Sequence, residues 1–165
     1  MSSVAPRPAP LLFERCEGNG LDEVMAIMIR AFDPEYGEAW TRSQCAGILP
    51  LSGVAMTLAR RGDNGAPVGF SLIRTVADEA ELLLIAVDPA MRRNGIGRAL
   101  IDHFVEHARN GGAIRLHLEV RDGNDAIGLY RGAGFVMAGR RQLYYRGASG
   151  RQYDALTLAL RIAQV

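Results

Sequence analysis

The spacing of apolar and polar residues predicts two helices near the start of the chain. Over residues 19–32, apolar positions recur at intervals of three and four, which predicts a helix with Asn19 as its N-cap and two acidic residues in its first turn. A second, shorter helix is predicted over about 39–49, with Thr41 or Ser43 near its start, because a proline follows directly.

The pattern then changes to that of strands. Residues 54–60 and 67–76 are strand-like and enclose a segment rich in turn residues, which predicts an antiparallel hairpin. Asp78 and Glu79 are expected to form the next turn. Residues 81–87 are an almost continuous apolar run, as is typical of a central strand covered on both faces.

The second half of the chain alternates between helices and strands. Residues 95–109 carry one apolar stripe at helical spacing, and residues 113–121 alternate cleanly between apolar and polar positions. A helix of about ten residues is predicted over 124–134. Residues 135–145 and 153–160 are predicted to form a final pair of strands.

The order of these elements predicts a fold of the α/β (α+β) type. It is one strand, two helices, three strands, a helix, a strand, a helix and two strands. The succession of strand, helix and strand through residues 81–121 predicts a parallel pair, whereas the flanking hairpins are antiparallel. We therefore expect a mixed, mostly antiparallel sheet of six or seven strands with about four helices. Residues 1–165 are expected to form one domain, with residues 1–9 frayed.

Composition and charge limit the kinds of partner and compartment that we expect for this protein. The net charge is +1 and no block of like charges occurs, which gives no indication of a nucleic-acid or membrane partner. Cys16 and Cys45 stand far apart, which argues against a disulfide framework or a zinc ribbon and favours a reducing cytoplasm. The first ten residues lack the apolar core of a signal peptide, and no run of about 18 apolar residues occurs.

The segment IAVDPAMRRNGIGRA, residues 85–99, carries the clearest chemical signal. It leads from a strand into a helix N-terminus, where free N–H groups and the positive end of the helix dipole attract anions. Gly95 and Gly97 would let a diphosphate touch the backbone, and arginines at 92, 93 and 98 would add positive charge. The alternative is a tight turn with glycines for packing. Neither a Walker loop nor a dinucleotide fingerprint is present.

This segment resembles the acetyl-CoA-binding motif of the GNAT acetyltransferases, with its core at residues 92–97. LEVR at 118–121 and LYRGAGF at 129–135 resemble the later motifs of that family, in the same order. The resemblance covers roughly residues 54–160. Within the family, the chain is most similar to the ribosomal-protein-alanine N-acetyltransferases, with RRQLYY at 140–145 adding to the likeness.

The resemblance implies a cofactor site made largely of backbone. Two central parallel strands would splay apart, and acetyl-CoA would thread between them, with one strand pairing with its pantetheine arm and the loop holding its diphosphate. The residues so implied are Ile85, Ala86 and Val87 on the strand, and Arg92, Arg93, Asn94, Gly95, Ile96, Gly97 and Arg98 in the loop and helix.

Glu119 and Tyr130 are the candidate catalytic residues. Glu119 lies on the polar face of its strand, where it is either solvated or faces a cleft as the general base. A base is needed because an α-amino group has a pKa near 7.7–8.0 and is mostly protonated at neutral pH. Tyr130 is either an ordinary packing aromatic or, as the resemblance implies, the acid that protonates the departing CoA thiolate.

Asn124 marks a departure from the family pattern. Family members usually carry an asparagine seven residues before the tyrosine, where its side chain contacts pantetheine. That position is Gly123 here, one residue before Asn124. We expect Asn124 either to shift into the role or to leave the contact unmade.

The acceptor is less defined than the cofactor. The resemblance implies a protein N-terminus in a groove lined by the tyrosines at 144 and 145, where Glu35 or Glu38 would read a basic residue or would simply be surface residues. A small amine is the alternative, as is a CoA-binding module without turnover. His103 and His107 stand four apart but lack an HExxH arrangement, so no metal is expected. The protein is expected to be a monomer or homodimer.

Overall fold

The computed structural model describes residue 5 and residues 7–62 and 65–163. Its four α-helices are α1 (Leu21–Ala31), α2 (Arg42–Ile48), α3 (Ile96–Asn110) and α4 (Ala126–Gly132). The strands are β1 (Leu11–Cys16), β2 (Val54–Arg61), β3 (Pro67–Val76), β4 (Glu79–Val87), β5 (Arg115–Arg121), β6 (Val136–Arg146) and β7 (Gln152–Arg161). None of the described helices meets the length and hydropathy needed to cross a membrane.

The strands form one mixed sheet in the order β1-β2-β3-β4-β5-β7-β6. Only β4 and β5 pair in parallel among the described strands, and α3 forms the connection between them. The predicted fold class is thereby confirmed. The insertion of β7 between β5 and β6 was not predicted, because pairing between distant strands leaves no local pattern.

The apolar core lies on both sides of this sheet. One cluster packs α1 and α2 against β2, β3 and β4, with Met28 and Phe70 fully buried. The other packs α3 and α4 against β4, β5 and β7, with Phe104 and Leu118 among its members. The apolar stripe of α3 and the alternation of β5 therefore produce the burial that the sequence predicted.

The start of α1 differs from the prediction. The helix begins at Leu21 with Gly20 at the N-cap, and Asn19 makes no cap. A 3-10 turn over Gly18–Gly20 precedes the helix, so the Asn19 side chain instead accepts a 3.2 Å hydrogen bond from the Glu17 N–H. The predicted N-cap was wrong because this extra turn displaces the asparagine by one position. The acidic residues of the first turn are as expected.

The start of α2 agrees with the prediction. The Thr41 hydroxyl accepts a hydrogen bond from the Gln44 N–H at 3.1 Å, and the Gln44 side chain accepts one from the Thr41 N–H at 2.8 Å. This reciprocal capping box satisfies two of the helix's free donors. It fixes the end of the loop that joins α1 to α2, residues 32–41, which borders the candidate site.

Two other bounds shift slightly. Glu79 belongs to β4, so the turn before it is Ala77 and Asp78, and α4 has seven residues instead of about ten. Residue 5 and residues 7–9 are exposed without regular structure, and residues 1–4 and 6 of the predicted frayed terminus lie outside the described residues. Residues 63–64 of the predicted hairpin turn lie outside them as well.

Candidate active site

The two parallel strands separate halfway along their length. Residues Glu79–Leu82 of β4 pair with Arg115–Leu118 of β5, and no pairing is recorded beyond Leu82. Leu72 and Ile73 of β3 pair with Leu84 and Leu82, which leaves Leu83 as an extra residue in β4. Such a β-bulge bends and twists a strand. The β5-facing edge of residues 83–87 is therefore left without a strand partner.

A cavity of about 760 Å³ occupies the gap between the separated strands. It runs from the α3 N-terminus, past the free edge of β4, to the loop of residues 32–41. Almost all the predicted site residues line it, namely Ile85, Ala86, Val87, Arg92, Arg93, Gly95, Ile96, Gly97, Arg98, Glu119, Asn124 and Tyr130. Asn94 is the exception among the residues predicted for this site.

The loop before α3 has the backbone that an anion site needs. Arg93 and Gly95 both adopt left-handed conformations, with φ of 67° and 72°. The Asn94 side chain folds back to donate to the carbonyls of Met91 and Arg92, at 2.9 and 3.3 Å, and so holds the turn in shape. A Cβ added at Gly95 would meet nothing within 4 Å. Glycine is therefore favoured at position 95 by its backbone conformation, beside open space.

Gly97 serves packing as well as access. A Cβ at this position would lie 2.9 Å from the Leu129 side chain, so the missing side chain lets α3 approach α4. The packing interpretation therefore holds at Gly97, and contact of a diphosphate with Gly95 stays a prediction. Arg98 pairs with Asp102 at 3.0 Å and donates to the Gly132 carbonyl at 3.2 Å, which places its charge at the cavity wall.

Glu119 faces the cavity and is held by two neighbours. Its Oε2 accepts a hydrogen bond from the Thr157 hydroxyl at 2.9 Å, and its Oε1 lies 3.2 Å from Nε of Arg141. Only 15% of the side chain is exposed. The carboxylate is thus oriented within the cleft and is not on a solvated face, which leaves it placed to accept a proton from a bound amine.

Tyr130 is buried on α4 and also lines the cavity. Burial raises the pKa of its phenol, and the negative charge of Glu38 raises it further. The group therefore stays protonated under ordinary conditions, which is the state a general acid requires. Its ring also packs edge-on against Phe135, with the centroids 6.2 Å apart, so the packing interpretation is confirmed and the role as an acid stays a prediction.

A cluster around Glu38 was not foreseen as a unit. Its Oε1 accepts a 2.8 Å hydrogen bond from the Asn124 side chain and lies 3.3 Å from Nε of Arg121. The Arg121 guanidinium stacks on the Tyr36 ring, 3.7 Å from its centroid. Nothing in the sequence connects positions 38 and 124, because the contact depends on how the loop of residues 32–41 folds over β5.

The other candidate carboxylates, Glu35 and Glu81, lie in different places relative to the cavity. Glu35 does not line the cavity and instead accepts hydrogen bonds from Tyr153 and Ser149. Glu81 lines the cavity and lies 3.6 Å from Nε2 of His117. Among the described residues, no group of three or more His, Cys, Asp or Glu side chains has an arrangement suited to a metal ion.

Tyr144 and Tyr145 of β6 line the other end of the cavity, and the expectation that this end holds a peptide stays a prediction. Burial raises the pKa of Tyr145, whereas half of the Tyr144 surface is exposed. The cavity is therefore open to solvent beside Tyr144 and is not a closed pocket. Its two ends differ in character: arginines and helix amides at one end, and tyrosines and carboxylates at the other.

Comparisons with known proteins agree with this geometry. Over 101 residues, which are 61% of this chain and 68% of the relative, the chain is 44% identical to the ribosomal protein bS18-alanine N-acetyltransferase of Escherichia coli strain K12. The crystal structure of the ribosomal-protein-S18-alanine N-acetyltransferase from Escherichia coli matches with a TM-score of 0.81 and 32% identity, covering 94% of this chain and 96% of that one.

Arabidopsis thaliana NAA60, solved in complex with acetyl-CoA, shares the fold at a TM-score of 0.78 and 18% identity, covering 93% of this chain and 99% of that one. The fold and the cavity thus define an N-acetyltransferase. The chain belongs to the acetyltransferase (GNAT) family, whose sequence model matches residues 21–135.

Proposed function

We propose that this protein transfers the acetyl group of acetyl-CoA to the N-terminal α-amino group of a protein, with a ribosomal protein as the first candidate. One observation carries the proposal: a single cavity joins the α3 N-terminus, with three arginines beside it, to a tyrosine-lined end, and Glu119 and Tyr130 line the same cavity. The matched Escherichia coli protein is named for an acceptor of this kind.

The residues present fit acetyl-CoA. The left-handed turn at Arg93 and Gly95 leaves open space before the α3 N-terminus, and three arginines line the same end of the cavity. Backbone N–H groups and arginines together are suited to a diphosphate. The free edge of residues 85–87 offers N–H and C=O groups to the amides of a pantetheine arm, in the manner of an added strand.

Asn94 would contribute its backbone, and not its side chain, to the cofactor site. Its side chain is engaged within the turn, and its carbonyl accepts a 3.3 Å hydrogen bond from Arg61. It therefore shapes the turn that the diphosphate would approach. Arg92 remains adjustable, since its contact to the Ala31 carbonyl is long, at 3.4 Å, and exposed.

Bound acetyl-CoA supplies an activated thioester. Glu119 accepts a proton from the acceptor ammonium, directly or through one water, because only the neutral amine is nucleophilic. Tyr130 donates its proton to the sulfur that leaves, and burial keeps that proton in place until then. The second proton that the amine nitrogen loses as the amide forms restores the Tyr130 hydroxyl through water. A backbone N–H in residues 85–87 polarises the thioester carbonyl. Amine and thioester meet in one ternary complex, so no covalent enzyme intermediate is needed.

The openness of the groove favours a peptide over a small amine. A small amine needs an enclosed pocket to orient it, whereas a peptide must leave its chain outside the cavity. The exposed Tyr144 and the buried Tyr145 stand side by side in β6, with ring centroids 5.0 Å apart. They present a wall along which an extended N-terminus fits.

The test is a screen of N-terminal peptides and small amines with acetyl-CoA as donor, read by mass spectrometry and by release of CoA thiol. We expect acetylation of α-amino groups, first on peptides that begin as small-subunit ribosomal proteins do. The control is the same peptide with a blocked N-terminus and a free lysine. Acetylation of small amines alone would replace the proposed acceptor, and thiol release with no amine at all would overturn it.

A further inference from the structure

We propose that Glu38 and Asn124 form a latch that positions the acceptor loop, residues 32–41, against the start of α4. Here Asn124 is a positioning residue instead of a pantetheine ligand. The inference rests on the proposed function, because it concerns how the acceptor reaches the same cavity. It starts from one side-chain hydrogen bond that joins two elements 86 residues apart in the sequence.

The first argument is that Asn124 is already engaged on both sides of its amide. Its nitrogen donates to Oε1 of Glu38 at 2.8 Å, and its oxygen accepts the Ala126 N–H at 2.8 Å. The second bond satisfies a free donor in the first turn of α4, the helix that carries Tyr130. Asn124 therefore connects the acceptor loop to the position of the candidate acid.

The second argument concerns the surroundings of Glu38. Only 10% of its side chain is exposed, and 12% of its partner Arg121. Buried charges of this kind are stable only when paired and hydrogen-bonded, so removal of one member leaves the others unpaired. Arg121 stacks on Tyr36 of the same loop, which fixes the loop to β5 beside the latch. The cluster thus holds the loop through a charge pair, a stacking contact and a hydrogen bond.

The third argument is the loop's other attachment. The Tyr153 hydroxyl donates to Glu35 at 2.7 Å, and the Ala148 N–H donates to the Pro34 carbonyl at 3.0 Å. These contacts fix the loop to the start of β7 and to the turn between β6 and β7. The Glu38 latch adds a second attachment, to the start of α4. The loop therefore forms a wall held at two points, and its cavity-facing side chains have a defined position.

The test exchanges the two polar groups of the latch. In Asn124→Asp, the oxygen that accepts the Ala126 N–H is kept, but two carboxylates face each other across the former hydrogen bond. Adding Glu38→Gln restores one amide and one carboxylate with their positions reversed. The variants are compared for acceptor kcat/KM, for acceptor KM and kcat separately, and for acetyl-CoA affinity by calorimetry. The matched control is Glu106→Gln, an exposed carboxylate on α3 outside the cavity.

We expect Asn124→Asp to lower acceptor kcat/KM by about tenfold or more, with acetyl-CoA affinity within about twofold of the wild type. The double variant should recover part of that loss, because the hydrogen bond reforms in reverse while Arg121 no longer has the Glu38 carboxylate at 3.3 Å. No recovery relative to Asn124→Asp would overturn the latch. A tenfold loss of acetyl-CoA affinity with acceptor KM unmoved would show Asn124 to be a pantetheine ligand instead.

These outcomes are separable from failure of the proposed function. If the wild type acetylates a small amine instead of a peptide, the exchange is measured with that amine, and the expected recovery is the same. If no amine is acetylated, the exchange is measured by thermal unfolding. The latch then predicts that Asn124→Asp lowers Tm and that adding Glu38→Gln raises it again. An unchanged Tm in both variants would contradict it.

Discussion

The Thr157 hydroxyl donates a 2.9 Å hydrogen bond to Oε2 of Glu119, between residues that lie directly opposite each other on β7 and β5. The bond exists because β7 is inserted beside β5, and it turns the carboxylate toward the cavity. Arg141 of β6 holds the second oxygen at 3.2 Å. Three adjacent strands thus fix the orientation of the candidate base.

Replacing Glu119 with glutamine should move the pH optimum of the rate upward. An amide of the same shape cannot accept the ammonium proton, so turnover would rise only as the amine deprotonates in solution, near its pKa of about 7.7–8.0. The measurement is kcat/KM for the acceptor between pH 6 and 10, a range chosen to span that value. An unmoved profile would remove Glu119 from the role.

Glu81→Gln is the matched control for that experiment. Glu81 also lines the cavity, but it pairs with His117 at 3.6 Å and lies on β4 where the parallel pairing is still intact. We expect its pH profile to overlay that of the wild type. A shift in this variant, together with none in Glu119→Gln, would identify Glu81 as the base.

Tyr130→Phe should lower kcat by at least about tenfold while acetyl-CoA affinity stays nearly unchanged, because the hydroxyl acts only as the thiolate departs. The aromatic packing against Phe135 survives in this variant, so the fold should be intact. Steady-state kinetics and calorimetric titration with acetyl-CoA measure the two quantities separately. Unchanged turnover would leave Tyr130 as a packing residue.

The alkaline side of the kcat profile should stay flat to beyond pH 10. Burial first, and the charge of Glu38 second, raise the pKa of Tyr130 above its ordinary value of 10.0. A raised pKa keeps the acid protonated as pH increases, so activity that depends on it is lost only above that ordinary value. A falling limb centred below pH 10 in the wild type would contradict this protonation state.

Gly95→Ala should weaken acetyl-CoA binding, whereas Gly112→Ala should not. Both glycines have positive φ, 72° and 89°, and a Cβ at either position would meet nothing within 4 Å. Each substitution should therefore cost a similar backbone strain, about 1–2 kcal/mol of unfolding free energy. Only Gly95 lines the cavity, so only its variant should lose affinity, by about tenfold.

Urea unfolding and calorimetry on the two glycine variants give the stability and the affinity independently. Equal losses of affinity in both variants would mean that the loss follows general destabilisation. It would then carry no information about the loop before α3.

The sequence predicted those helices and strands that carry a local pattern of apolar residues. The bounds of α3 and β5 follow from apolar residues at periods near 3.6 and of two, because α3 buries one stripe and β5 buries one face. β2 and β3 are instead apolar runs bounded by turn residues, and both of their faces are buried along most of their length. The motif at residues 92–98 could likewise be recognised from the sequence, because it lies within one short segment. Its glycines and arginines are local, and the left-handed turn that they form is local as well.

The remaining features depend on contacts between distant segments. The position of β7 decides which neighbours Glu119 has, and the bulge at Leu83 decides where the cavity opens. Leu143 adopts a left-handed φ of 53° where β6 shifts register beside Tyr144, although leucine gives no sign of it. The contact of Glu38 with Asn124 has no local signature either, because the two residues meet only in the folded chain.

The most direct test of the account is a calorimetric comparison of acetyl-CoA with S-acetylpantetheine, which carries the same thioester and arm but lacks the diphosphate and the adenosine 3′-phosphate attached to it. If the loop before α3 grips the diphosphate, acetyl-CoA should bind one to one and at least about a hundredfold more tightly than the shorter compound. Equal affinities, or no binding of acetyl-CoA at all, would contradict the assignment of this loop and the function built on it.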